Sequence, residues 1–275
     1  MSALDRALNR ATDRLARTSD TPRLDAELLL AHALGIERDA LILRPPAAMT
    51  VQAPYDALVE RREAGEPIAY ITGKKAFWNI ELDVGPGALV PRPDSETLIA
   101  AAMHHFAGSD RPQRILDLGT GPGTLLLAAL DQWPRATGIG IDSSDEALGY
   151  AKANATRLGL APRAHFKRGN WADGVSERFD LVLINPPYVA TDAELGPGVA
   201  EYEPHEALFA GDDGLDDYRR LAPEIARLLS PGGLAAIEIG YDQGESAAAL
   251  FAAEELAPEL AHDLAGRPRA LLIRA

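Results

Sequence analysis

Over residues 1 to about 65 the apolar positions recur at three- and four-residue spacing, the period of a helix with one buried face. Thr21 can cap such a helix, and Pro22 suits its first turn because the N–H it lacks has no partner there anyway. Leu24, Glu27, Leu28 and His32 follow, and Gly35 ends the helix. A second helical stretch runs from Pro54 to Ala64 and stops at Gly65. The spacing predicts a small N-terminal helical bundle over residues 1–65. Residues 66–92 change character. Ile68, Tyr70 and Ile71 precede Gly73, and the run Phe77 to Val84 leads into a Gly85-Pro86-Gly87 break. Alternation across that break predicts a β-hairpin linker between two domains.

From residue 93 to 275 the period switches repeatedly. Short apolar runs at 114–118, 137–141, 164–167, 179–184, 234–239 and 270–273 read as strands, with helical stretches at 124–132 and about 144–158. Alternating β and α elements predict an α/β domain built on a doubly wound, mostly parallel sheet. Composition adds exclusions. With 47% hydrophobic and 25% charged residues the chain is ordinary globular material. No apolar run approaches the length of a membrane span, and residues 1–20 lack the apolar core of a signal peptide, so a cytoplasmic protein is expected. The absence of cysteine removes disulfides, thiolate metal sites and thiol nucleophiles. The six histidines show no ligand spacing beyond the pair His104-His105, so no metal is expected. A net charge of −14 counts against binding to a nucleic-acid backbone and favours a small-molecule or protein substrate.

Two motifs carry chemistry. Asp117-Leu118-Gly119-Thr120-Gly121-Pro122-Gly123 lies between the first strand of the α/β region and its first helix. Glycines let a ligand approach the backbone closely. The carboxylate ahead of them would repel a diphosphate and attract a sulfonium or an α-ammonium group. Asp142, just after the second strand, can accept from both hydroxyls of a ribose; the alternative is a cap ahead of Ser144. Asn170 and Trp171 follow the third strand, where an amide and an aromatic ring suit an adenine; plain packing is the alternative for Trp171. The second motif is Asn185-Pro186-Pro187-Tyr188, directly after the apolar run Leu181 to Ile184, at the strand end where ligands sit in open α/β sheets. An amide or aromatic amine is a poor nucleophile because its lone pair is delocalised. Acceptors on Asn185 and on the Pro186 carbonyl can hold both hydrogens of an NH2 group and aim its lone pair at an electrophilic methyl carbon, with Tyr188 packing against the planar substrate. The motif alone does not separate a glutamine amide from an adenine or cytosine amine.

Flanking segments narrow the choice. Gly65-Glu-Pro-Ile-Ala-Tyr-Ile-Thr-Gly73 with Phe77-Trp78, Leu89 to Glu96, Tyr202 to Leu208, Gly211 to Arg219 and Asp263 to Arg267 together resemble the release factor glutamine methyltransferases, the PrmC/HemK family. That resemblance, which covers nearly the whole chain, implies a seven-stranded Rossmann-like methyltransferase sheet and methylation of the glutamine N5 in the Gly-Gly-Gln motif of class 1 peptide chain release factors. The alternative is an N6-adenine methyltransferase of DNA or RNA using the same tetrapeptide. The resemblance further implies that S-adenosyl-L-methionine, leaving as S-adenosyl-L-homocysteine, binds at Asp117, Gly119, Thr120, Gly121, Pro122, Gly123, Asp142, Asn170, Trp171 and Asn185. Asn185, Pro186, Pro187 and Tyr188 would form the glutamine pocket, with the N-terminal bundle recognising the substrate of a monomeric enzyme. Pro122 and Asn170 depart from the family's usual residues, the first losing a backbone donor and the second an acidic group.

Overall fold

A computed structural model of the chain describes residues 2–44 and 52–275, so positions 45–51 of the predicted helical stretch lie outside it. The chain divides into two compact units, residues 1–74 with 194–203, and residues 75–193 with 204–275. In the first unit, α1 (Ala3–Leu15), α2 (Pro22–Leu34), α3 (Arg38–Leu43), α4 (Gln52–Glu63) and α5 (Ile68–Thr72) form the helical part. Ser2 and Asp5 satisfy the first free N–H groups of α1 reciprocally as a capping box. Gly35 closes α2 in the left-handed conformation (φ 66°). Leu8, Leu15, Leu29, Leu30, Tyr55 and Val59 make the core of this unit. Beside it the Asp25 carboxylate, which is buried, is held by Arg62 at 2.8 Å.

In the second unit, apart from its first residue Lys74, β1 (Lys74–Phe77) forms with β2 (Ile80–Asp83) a two-stranded sheet. The chain reverses at Trp78 and Asn79, upstream of the Gly85–Gly87 break where the pattern placed the hairpin. The cause is tertiary: Trp78 takes a left-handed backbone (φ 54°), and its N–H donates to Glu96 Oε1 at 2.9 Å. Residues 68–72 likewise form a helical turn in place of extended chain. The chain continues through α6 (Glu96–His105), β3 (Arg114–Leu118), α7 (Thr124–Gln132), β4 (Thr137–Asp142), α8 (Asp145–Arg157), β5 (Ala164–Arg168) and β6 (Phe179–Ile184). After α9 (Val199–Tyr202), which belongs to the first unit, come α10 (Asp216–Leu228), β7 (Leu229–Glu238), α11 (Gly244–Ala253), β8 (Glu259–His262) and β9 (Pro268–Arg274).

Seven strands order as β5-β4-β3-β6-β7-β9-β8, parallel from β5 through β7, with β9 antiparallel to both of its neighbours, β7 and β8. Every residue of β6 is buried, as expected of a central parallel strand covered on both faces. The order of connection reverses between β3 and β6, so ligands are expected outside the carboxyl ends of these strands.

Candidate active site

A cavity of about 420 Å³ opens at that edge. Asp117, Gly119, Thr120, Gly121 and Pro122 of the glycine turn line it, with Asp142 after β4, Asn170 and Trp171 after β5, and Asn185 and Pro187 after β6. Gly123, in the left-handed region at φ 87°, is the residue from which α7 starts. The structure therefore brings most of the expected residues to one place and leaves Gly123, Pro186 and Tyr188 outside the lining.

Asp117 is wholly buried, and its Oδ2 accepts from Thr120 Oγ1 at 2.6 Å and from the Leu126 N–H at 3.1 Å. Its Oδ1 has no partner. Burial pushes this carboxyl up to about 7, against the stabilising hydrogen bonds from Thr120 and Leu126. Asp142 Oδ2 accepts from the Gly121 N–H at 2.7 Å, and its Oδ1 accepts from the Ser144 N–H at 2.9 Å. Helix α8 is capped by Ser144 itself, whose hydroxyl accepts from the Ala147 N–H, so Asp142 ties the glycine turn to the helix start. The Pro122 carbonyl accepts from Asn154 Nδ2, a buried amide that also bonds both backbone groups of Asp83.

Trp171 stands at φ 53°, and its Nε1 donates to Asp217 Oδ1 at 3.0 Å. Its ring lies against Gly119, where an added Cβ would sit in tight contact 3.2 Å from Cζ3, and the φ of 71° itself favours glycine there. Packing and cavity lining thus coexist in Trp171. Burial raises the Asp217 carboxyl above its ordinary range, and Trp171 opposes that shift.

At the reaction tetrapeptide, Asn185 donates through Nδ2 to Ser95 Oγ at 3.1 Å, which leaves its amide oxygen as the group to offer the cavity. Pro186 is buried. Tyr188 packs against the sheet core and donates its hydroxyl to Glu238 Oε1 at 3.2 Å, while its carbonyl accepts from Gln243 Nε2. The phenol therefore points inward in this state, away from the role of platform for a planar substrate. Its pKa is raised, first by burial and then by the Glu238 charge.

Glu238 and Asn154 are site residues that sequence reasoning did not single out, while Ser95 and Asp217 fell within the flanking segments with no cofactor or catalytic role assigned to either. For Glu238 a signal existed: it ends β7, whose neighbour is β6 with Ile237 level with Ile184, and so it falls at the same sheet edge as Asn185. Asp117, Asp142, Glu146, Glu206 and Asp217 outnumber Arg92 and Arg220 in the lining, a balance that favours a cationic ligand. Among the described residues no group of three His, Cys, Asp or Glu is placed to hold a metal, and no helix is long and apolar enough to cross a membrane.

A parallel sheet with an antiparallel penultimate strand and an acidic glycine turn at its centre is the framework of a methyltransferase, and the Methyltransferase domain family matches residues 109–264. A methyltransferase of known structure from Pyrococcus furiosus shares the fold at a TM-score of 0.51 and 17% identity, covering 70% of this chain and 88% of its own. The PrmC N-terminal domain family matches residues 6–73. The release factor glutamine methyltransferase of Caulobacter vibrioides is 44% identical over 91% of this chain and 88% of its own length. That of Rhodospirillum rubrum is 43% identical over 98% of this chain and 85% of its own. The chain belongs to the release factor glutamine methyltransferase family, as the flanking segments led us to expect.

Proposed function

We propose that this chain transfers a methyl group from S-adenosyl-L-methionine to the side-chain amide nitrogen (N5) of the glutamine in the Gly-Gly-Gln motif of class 1 peptide chain release factors. The observation that carries the reading is Asn185: its amide nitrogen is tied back to Ser95 and its oxygen remains to accept, at the rim of an acidic, glycine-lined cavity. The residues fit the cofactor. Asp117 Oδ1 is a buried acceptor without a donor in a cavity that favours positive charge, and Gly119 leaves room beside the Trp171 ring. When bound, the cofactor supplies a methyl group made electrophilic by its sulfonium.

Everything else falls to the protein. Gly119, Thr120, Gly121 and Pro122 would cradle the methionyl part, Asp142 the ribose, and Asn170 with Trp171 the adenine. The Asn185 oxygen and the Pro186 carbonyl would hold the two N–H groups of the glutamine amide and so orient its lone pair. Pro187 would complete that pocket, with Tyr188 behind it, its hydroxyl held by Glu238. No strong base is needed before transfer, because the nitrogen becomes acidic only as it gains the methyl group, and the proton then leaves. The enzyme acts in the cytoplasm as a monomer, with residues 1–65 recognising the release factor, residues 66–92 as linker and residues 93–275 as the catalytic domain.

The test is to incubate the protein with labelled S-adenosyl-L-methionine, a release factor and nucleic acid together, then locate the methyl group by mass spectrometry. Label on the glutamine of Gly-Gly-Gln is expected. Label on nucleic acid alone would mean that adenine is the substrate.

A further inference from the structure

Behind Asn185 lies a buried polar cluster that the reading above does not use. Glu238 is wholly buried at the end of β7. Its Oε1 accepts from the Tyr188 hydroxyl at 3.2 Å, the Ser95 hydroxyl stabilises the carboxylate by a further hydrogen bond, and the Arg269 guanidinium lies close enough to favour its charge. Arg269 is itself buried, 3.0 Å from Asp94 Oδ2, and both Glu238 Oε2 and Arg269 Nε are buried without a partner. Ser95, 2% exposed, accepts from Asn185 Nδ2. Burying a carboxylate is costly, so a chain that keeps one beside its reaction motif has a use for it.

The two ends of the Asn185 amide are nearly the same shape, and nothing about their size decides which faces the cavity. Hydrogen-bond polarity does. Above pH 7, where Glu238 is ionised, its carboxylate only accepts, so it takes the hydrogen bond that the Ser95 hydroxyl donates. Ser95 is then left with lone pairs alone and can only accept from Asn185. Asn185 must give its NH2 end to Ser95, and its oxygen is directed to the substrate. The reverse orientation would set NH2 against the NH2 group to be methylated.

We infer that Glu238 is a positioning residue which fixes the donor direction of the chain Asn185 to Ser95 to Glu238, and thereby keeps the Asn185 oxygen turned toward the substrate amine. The inference rests on the methyl-transfer reading but not on which planar amine is the substrate.

The test is a double-mutant cycle of Glu238→Gln and Ser95→Ala, with kcat and cofactor Kd measured on the full chain. Glu238→Gln keeps the shape and adds a donor, so Ser95 can be driven to donate and Asn185 to turn. We expect each single variant to lose about tenfold to a hundredfold in kcat, with cofactor Kd within about twofold, because misorientation acts on the reacting geometry. The double variant should be no slower than the worse single one, since both act through one amide. Ser95→Thr, which keeps the hydroxyl, should retain most of the activity. Losses that multiply in the double variant, or a Glu238→Gln enzyme at wild-type rate, would overturn the inference. If wild type methylates only adenine, the release-factor reading fails, while the same cycle run on adenine still decides this one. A substrate-independent readout is the side-chain NH2 resonance of Asn185, identified by its loss in Asn185→Ala. Glu238→Gln should shift it; an unmoved resonance in a folded variant would overturn the inference even if no substrate were turned over.

Discussion

Asp117 and Glu238 look alike by every local measure. Each is wholly buried at or near the carboxyl end of a sheet strand, each has one oxygen without a partner, and burial pushes each up to about 7. Their neighbours differ. Asp117 lines the cavity, whereas Glu238 does not and is surrounded by Tyr188, Ser95 and Arg269. On the proposed function the unfilled acceptor of the first meets a ligand, while the carboxylate of the second faces other side chains through Oε1 and leaves Oε2 without a partner. A perturbed carboxyl therefore marks a place where function is built, but the groups beside it decide whether it binds or positions.

The sharpest separation of the two ends should come from Asn185→Ala. Removing the acceptor that orients the nucleophile is expected to lower kcat about a thousandfold, the scale of losing one preorganised polar group at a reacting centre. Cofactor Kd should stay within about twofold, since the cavity wall on the β3 and β4 side is untouched. Turnover and titration calorimetry on the same preparation check this; a rate near wild type would mean that Asn185 does not hold the amine. Asp117→Asn should show the opposite split. The carboxamide keeps an acceptor for Thr120 and Leu126 but loses the charge, and cofactor Kd should rise about a hundredfold, the scale of a buried charge interaction. At saturating cofactor kcat should be largely restored.

The pH dependence sharpens the contrast further. In the unfolded chain these carboxyls titrate near 3.8 and 4.5, while burial raises both to about 7 in the folded state. Between those limits the folded state binds more protons than the unfolded one, so stability is greatest at low pH in this window and falls as pH rises through 7. A cationic ligand beside Asp117 needs the ionised form. Cofactor affinity should thus climb by up to about tenfold per pH unit from pH 5 to 7 and level off above, with the slope absent in Asp117→Asn and retained in Glu238→Gln. Titration calorimetry at several pH values reads this; an equal loss of slope in both variants would mean the two carboxyls share one role.

How far the sequence foresaw these roles depended on whether the signal was local. Strands 114–118 and 179–184 were read correctly because their apolar runs are bounded by a glycine turn and by Asn-Pro-Pro. Those same boundaries delivered Asp117, Asn185 and the cavity wall. The edge strand β8 carries little apolar pattern because it is mostly exposed, and so it was not recognised. The reversal at Trp78 escaped because tryptophan carries no turn signal, and its N–H is captured by a glutamate from another helix. The link from Asn185 through Ser95 to Glu238 joins the start of α6, the end of β6 and the end of β7, which no periodicity brings together. Tyr188 was expected to pack against a planar substrate, yet its hydroxyl turns to Glu238, a direction that only tertiary packing could set.

The smallest expected effect concerns Asp217, a half-buried carboxyl whose Oδ1 already accepts a hydrogen bond. It shares the cavity lining, but its Oδ1 accepts from Trp171 Nε1, so its main action on the cavity runs through the indole that backs Gly119. Trp171 is held in a left-handed backbone, a conformation that persists only where surrounding contacts over-determine it. Asp217→Asn retains an acceptor for the indole and removes the charge, and should raise cofactor Kd by no more than about twofold, whereas Asp217→Ala should raise it about fivefold by freeing the ring, the scale of one lost hydrogen bond. Trp171 fluorescence, with Trp78 and Trp133 replaced by Phe, should change in the alanine variant and hold in the asparagine one. If the asparagine variant weakens binding as strongly as Asp117→Asn, then Asp217 belongs with the carboxylates that meet the ligand's charge, and the line drawn here between binding and positioning would move by one residue.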